Sequence, residues 1–381
     1  MQILAIRNLS IAIGLAMLAG CGGQSGESAT VTPETTPPAA SQTETTAPEL
    51  ATQAPATAAD CAGEQGLAYI CGVQGVEDLL RLGNTGMMLG SGMSNATTPA
   101  HMYLINPVTM EFADLIHGPN FSQSHDTAMF PNCPGPLNLD SFSVHGLSIY
   151  ESSLGIFSVY TTSHGEREAI EVYELNISGA APALAWKGCV MLPANTFANS
   201  VARLADGGFV TTKMMDPTQG FGSLQGGGIT GNVFEWHPGG EVVAVEGTEL
   251  SGANGIAVSE DERYMYVAAF GSREVIRFDR STSPIGKQTE SIDIVPDNIR
   301  WGTDGKLLTA GNNYVAPDVC SGQGCATGWS VLEIDAETLE VTRVAGADQT
   351  VALQGVSSAL QIDNELWIGT FNDDRIGKLS R

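Results

Sequence analysis

The chain has 381 residues, a formal net charge of −25 at neutral pH and a pI near 4.4. That acidic balance excludes a protein built to hold nucleic-acid phosphates, which takes a basic footprint. It is compatible with an acidic, soluble surface and with oxygen-ligated cations.

The N-terminus reads MQILAIRNLSIAIGLAMLAGCGG, with one basic residue (Arg7), an apolar stretch, then Leu18-Ala19-Gly20-Cys21. The apolar run is too short for a stable bilayer span and small residues precede the cysteine, which is the pattern of a secretory signal. Its ending resembles a bacterial lipoprotein box. That resemblance implies removal of residues 1–20, lipid on Cys21 and, with Gly22 following, the outer membrane as destination. An ordinary signal peptide with an incidental cysteine is the alternative. Residues 21–60 are rich in Gly, Ser, Thr, Pro, Ala, Gln and Glu and bury too little apolar surface to fold, so a disordered tether is expected. Residues 61–381 then form the folded domain, in contact with the membrane only through the lipid.

Seven cysteines is an odd count, but assigning Cys21 to the lipid leaves six. An exported compartment permits disulfides. Cys61 with Cys71 and Cys320 with Cys325 are near neighbours and candidates for small-loop bridges, and Cys133 and Cys189 pair by elimination. None of these pairs has the two-residue spacing of zinc ligands.

Beyond residue 61 helical periodicity is nearly absent. A polar turn followed by a short apolar or small-residue strand recurs as GNTGMMLGSG (83–92), SSLGIFSVYTT (152–162), ADGGFVTT (205–212), DERYMYVAAF (261–270), TDGKLLTAG (303–311) and DNELWIGT (363–370). Each is followed by an alternating element: MYLIN (102–106), EVYEL (171–175), VFEWH (233–237), VIRFD (275–279), VLEID (331–335) and IGKLS (376–380). Six such pairs, roughly 40 to 70 residues apart, predict an all-β, six-bladed β-propeller of four-stranded blades. A β-sandwich or two smaller β domains are the alternatives. The small residues of the first element suit inner strands crowded around a central channel, and the alternating element suits strands packed on the next blade.

Most Asp and Asn residues fall in turns. Four places differ: GVEDLLRL with Glu77 and Asp78, FANSVARL with Asn199, SGANGIAVS with Asn254, and VPDNIRW with Asp297 and Asn298. Each lies shortly before the first element of a different blade. Segments leading to inner strands converge on one mouth of the channel, so one Glu, one Asp and three Asn are expected at a shared axial position. Carboxylate and amide oxygens in that number suit a hard cation, Ca²⁺ better than Mg²⁺. Taken singly, any one of these Asn residues also reads as a turn cap.

The ordered set Glu-Asp, His-Gly-Leu-Ser, His, Asn, Ala-Asn-Gly-Ile and Asp-Asn-Ile resembles the paraoxonase/arylesterase branch of the SMP-30/gluconolactonase-like six-bladed propellers. The resemblance runs from about residue 71 to the C-terminus, and GVEDLLRLGNTGMMLGSGM and ELSGANGIAVSEDERYMYVAAF carry it most specifically. It implies a catalytic Ca²⁺ bound by Glu77, Asn199, Asn254, Asp297 and Asn298, and a dyad of His145 and His164 lining the same cavity. It also implies hydrolysis of lactones, with aryl esters as secondary substrates. A second, structural Ca²⁺ would use Asp78, the backbone carbonyl of Leu147 and the position held by Ser200. The family carries Asp at that third position, so the second site is incomplete. TTKMMDP (211–217) lacks the family's Asp-His, and the chain ends IGKLSR without the family's terminal cysteine.

His145 and His164 bracket SVHGLSIYESSLGIFSVYTTSH (143–164), read as the entry to an inner strand, the strand and its exit. His145 is expected to take a proton from water and His164 to support it, with a carboxylate near the metal as the rival base. His117 and His125, in HGPNFSQSH, read as surface or lid residues; His101 and His237 fall on outer-strand pattern and need no special role. The leading expectation is a calcium-dependent lactonase or esterase acting on a small molecule. A non-enzymatic propeller that binds a ligand or partner around a structural calcium, and a gluconolactonase-type sugar-lactone hydrolase, are the alternatives.

Overall fold

Short β-forming segments separated by Gly, Asn and Asp turns build six sheets in the computed structural model, which describes residues 61–63, 66–302, 304–315, 327–348 and 353–381. The expected signal, lipid-bearing Cys21, tether and Cys320–Cys325 bridge lie outside the described residues. Each sheet is one blade of a six-bladed β-propeller.

The innermost strands are Val76–Arg81, Ser143–Ser153, Phe197–Arg203, Ala253–Val258, Ile294–Trp301 and Val356–Ile362, for blades one to six. Antiparallel pairing then runs outward in chain order within each blade. The ring closes where the N-terminal strand Leu67–Cys71 adds to the last strand, Arg375–Ser380, as the outer edge of blade six. Its register pairs Leu67 with Leu379 and Cys71 with Arg375. Cys61 and Cys71 are bridged, stapling the start of that strand. Blade two carries a fifth strand, Phe121–Gln123, which pairs parallel to Ala183–Met191. The Cys133–Cys189 bridge holds the connection from blade one onto this same blade.

The strand order corrects the sequence reading in one respect. The small-residue elements (83–92, 152–162 and their counterparts) contain the second strand of each blade. The innermost strands are the segments just before them, which carry the Asp, Asn and His residues singled out above. The reason lies in the register. Every innermost strand has an irregularity at its polar residue: between Val76 and Asp78, Val144 and Leu147, Ala198 and Val201, Ala253 and Ile256, Pro296 and Ile299, and Val356 and Ser358. A bulge adds a residue, breaks the alternation that marks a strand in sequence, and re-aims side chains.

Apolar side chains from facing blades fill the space between sheets, with Trp186, Trp329 and Trp367 among the largest fully buried. Near the axis the backbones approach closely. A Cβ on Gly146 would lie 2.6 Å from the Asn199 carbonyl oxygen, and one on Gly255 would lie 2.4 Å from the Ile299 nitrogen. The glycines of His145-Gly146 and Asn254-Gly255 are therefore required by the packing of one bulge against the next strand.

Candidate active site at the channel axis

The bulges of blades one to five bring Glu77, His145, Asn199, Asn254, Asp297 and Asn298 to one level of the channel, all of them buried. Hydroxyls fix the bulged backbone. Thr162 Oγ1 donates to the Asn199 carbonyl at 2.7 Å, Thr212 Oγ1 to Asn254 at 2.5 Å and Thr309 Oγ1 to Asn298 at 2.9 Å. On blade six, Ser357 Oγ donates to the Glu77 carbonyl at 2.7 Å, so this blade buttresses the site with a hydroxyl where the others carry a carboxylate, amide or imidazole.

The amides all turn the same way. Asn298 Nδ2 donates to Glu77 Oε1 at 2.6 Å and to the Glu77 carbonyl at 3.2 Å. Asn199 Nδ2 lies 3.3 Å from His145 Nε2. The Asn254 amide hydrogen-bonds the Asp297 carboxylate. With their nitrogens engaged, the buried oxygens Glu77 Oε2, Asn199 Oδ1, Asn254 Oδ1, Asp297 Oδ1 and Asn298 Oδ1 have no hydrogen-bond donor. Buried polar atoms are almost always satisfied, and one orphan costs about 1–3 kcal/mol. Burial raises the Glu77 carboxyl well above its usual range, the nearby Asp297 and Asp78 raise it further, and burial likewise raises Asp297. Five unpartnered oxygens, two of them on carboxyl groups, fit a hard divalent cation, and their number suits Ca²⁺.

The two histidines meet beside these oxygens. From the sequence, His145 falls before its strand and His164 beyond one. In the structure His145 is on the innermost strand of blade two and His164 ends the second, Ile156–His164. His145 Nδ1 is 2.8 Å from His164 Nε2, and His164 Nδ1 is 2.9 Å from Glu168 Oε2. Glu168 Oε1 also accepts from the Ala198 amide on the next blade, which ties the carboxylate down. Phe197 stacks on the His164 ring at 4.4 Å between centroids. Burial, and then the neighbouring His164, push His145 well below the usual histidine range, so its imidazole stays neutral.

A residue the sequence reading passes over lies among the groups of the second cation site, already incomplete at Ser200. Asp78 and the Leu147 carbonyl, two of the three groups of the second cation site, are bridged by the Arg300 guanidinium. Arg300 Nε donates to Asp78 Oδ1 at 3.1 Å, Nη2 donates to Oδ2, and Nη2 reaches the Leu147 carbonyl at 3.0 Å. Nη1 donates to the carbonyls of Ile256 and Ile299. The guanidinium thus supplies the positive partner of this buried carboxylate. Ser200, the third group, keeps a buried hydroxyl oxygen without a partner.

Two further features escape the sequence. Glu168 looks like part of a charged turn, SHGEREA; an acceptor following His164 at a chain reversal is the signal that could have found it. The segment TTKMMDP supplies a wall: Met214 and Met215 are buried with Leu224, and Phe197 and Phe270 pack against them. Met214 Sδ is 4.0 Å from Asn199 Nδ2, so this apolar cluster borders the site.

A propeller whose innermost strands bulge around a buried, oxygen-lined axial position beside a histidine pair is the class that fold and site define. Residues 177–345 match the family described as the SMP-30/Gluconolactonase/LRE-like region. No curated protein matches the chain. Among solved structures, a luciferin-regenerating enzyme is similar at 16% identity and a TM-score of 0.52, over 82% of this chain and 93% of that one. A gluconolactonase from Xanthomonas campestris is similar at 15% identity and a TM-score of 0.51, over 88% and 97%. At such identities the likeness is one of fold.

Proposed function

We propose that this protein is a calcium-dependent lactone hydrolase of the paraoxonase-like kind, with aryl esters as secondary substrates. The observation that carries the reading is the set of five donor-less oxygens, one on each of Glu77, Asn199, Asn254, Asp297 and Asn298, set against His145. These residues would hold the ion. When bound, Ca²⁺ supplies polarisation of a substrate carbonyl and compensation of the negative charge that develops on its oxygen.

The chain's own residues supply the base. Glu168 fixes the Nδ1–H tautomer of His164, which leaves Nε2 free to accept the Nδ1–H of His145. That arrangement makes His145 Nε2 an acceptor, in agreement with the Asn199 amide turned toward it. A water that takes the place of the Asn199 amide at this nitrogen gives up its proton there as it attacks the carbonyl. The proton on Nδ1 can then pass to His164. Positive charge moves outward in this way, from a buried ring to one hydrogen-bonded to a partly exposed carboxylate.

The wall of Met214, Met215, Leu224, Phe197 and Phe270 favours a lactone with an aliphatic or aromatic substituent over a polyhydroxylated sugar lactone. The test is turnover of a panel of acyl-homoserine, aliphatic and sugar lactones plus an aryl ester, before and after chelation and after return of Ca²⁺. The reading expects activity that disappears on chelation, returns with Ca²⁺ and is highest on the apolar lactones. Absence of metal-dependent turnover on every member would leave a ligand-binding propeller. We further propose attachment to the outer membrane through Cys21; a Cys21→Ser chain that still fractionates with membranes would exclude it.

A further inference from the structure

Away from the axis, three ligand-type side chains converge on the outer part of blade one. His101 begins the third strand, His101–Asn106; Asp114 ends the fourth, Glu111–Asp114; His117 follows in the turn. The Nδ1 atoms of both histidines lie 2.7 Å from the same oxygen, Asp114 Oδ2. Asp114 is held in place from behind, since its Oδ1 accepts from the Ile116 amide at 3.2 Å and the His117 amide at 3.5 Å, and its side chain is 2% exposed. His101 is fixed by stacking on Tyr103 at 5.2 Å, and the Tyr103 hydroxyl accepts from the Gln74 amide. The two imidazoles meet edge-on at 5.1 Å.

We infer that His101 Nδ1, Asp114 Oδ2 and His117 Nδ1 form a site for a divalent transition metal of the imidazole-preferring class, with Zn²⁺ as its reference ion. Among the described residues this is the one group of three or more His, Cys, Asp and Glu side chains whose ligand atoms lie within 4.8 Å of one another. Two imidazole nitrogens and a carboxylate oxygen, with water in a fourth position, is a common Zn²⁺ donor set. Tetrahedral bonds of 2.0–2.1 Å place ligand atoms about 3.3 Å apart. The 2.7 Å contacts must therefore open by about 0.6 Å. His117, on a turn and with its side chain 34% exposed, is the member free to move. Each imidazole takes the Nε2–H tautomer on binding, and the backbone amides on Asp114 Oδ1 are the outer contacts that orient the carboxylate.

This site differs from the axial one in chemistry and position. Its nitrogen-rich set selects a softer ion than an all-oxygen one. His101 pairs with Gly92, which pairs with Val76, so the cluster lies on the rim of blade one next to Glu77, about two strand spacings or ~10 Å outward. An ion there ties the third and fourth strands to the first turn of the long connection leading to the edge strand of blade two.

The test uses the whole chain, stripped of metal by chelation and returned to millimolar Ca²⁺ so that the axial site is filled. Calorimetric titration with Zn²⁺ should show one tight equivalent, and Co²⁺ should give the intense visible bands of a four-coordinate ion. His101→Phe and His117→Asn should each weaken Zn²⁺ binding at least 100-fold and abolish the Co²⁺ bands. His237→Asn, which breaks an exposed contact with Asp206 and Glu235, should leave both unchanged. His117→Asn alters an exposed turn, so the test does not depend on the buried Asp114 tolerating substitution. Absence of a tight equivalent in the wild-type chain, or binding that survives both His101→Phe and His117→Asn, would overturn the inference.

Discussion

Replacing Arg300 by methionine is the sharpest test of how the channel is held together. Asp78 is fully buried, and its carboxylate receives two donors from the guanidinium and one amide each from Leu79 and Leu147. Without the arginine, two amides face an ionised group that water does not reach, and three carbonyls on blades two, four and five lose a donor. Breaking a buried pair on one side costs about 3–5 kcal/mol. For a domain of this size each kcal/mol moves Tm by about 2 °C, so a fall of about 6–10 °C is expected. Thermal unfolding should be followed calorimetrically in millimolar Ca²⁺. Adding Asp78→Asn removes the stranded charge, and the Arg300→Met/Asp78→Asn chain should recover most of the loss. A single variant within 1 °C of wild type, or a double variant no more stable than the single, would refute this account.

Glu77→Gln keeps the shape of the axial site but removes one of its two carboxylates, so Ca²⁺ affinity measured by calorimetry should fall at least tenfold. Glu168→Gln retains an oxygen for the Ala198 amide but can no longer fix the tautomer of His164; kcat on a lactone should fall about 10–100-fold with KM nearly unchanged. His145→Gln should lose more, because it removes the nitrogen that accepts the proton, and wild-type kcat in that variant would remove the histidine from the mechanism. Opening the Cys133–Cys189 bridge, which closes a 56-residue separation, should cost about 4 kcal/mol; opening Cys61–Cys71, with a separation of 10, should cost about 3. Thermal unfolding of the two Cys→Ser pairs should preserve that order.

The number of blades is legible because turns such as 205-ADGGFVTT recur with a fixed relation to an alternating strand. The identity of the innermost strands is not. At Asn199 and Asn254 the bulge places polar residues where alternation predicts apolar ones, so the regular second strands look like the inner ones. The closing strand Leu67–Cys71 escapes because its partner is more than 300 residues away, and the parallel Phe121–Gln123 because three residues carry no periodicity. The candidate site is visible as a set of residue types, since oxygens and imidazoles are recognisable singly. Its electrostatic balance is not, because Arg300 sits two residues after Asn298 and looks like an ordinary strand position. His101 and His117 likewise read as unrelated, and only the pairing of the third and fourth strands of blade one puts both on Asp114.

The seam of the ring has a mechanical consequence. Any pull arriving along the chain from before Cys61 divides at that residue and can pass through sulfur to Cys71. Residues 66–70 then lie on a slack branch, and the ladder from Leu67–Leu379 to Cys71–Arg375 is not loaded from its free end. Peeling, which opens a β-ladder one hydrogen bond at a time, is not driven while the bridge holds, because the load bypasses the ladder. Under tension from the N-terminal side the ring should therefore open at lower force in a reducing medium than in an oxidising one.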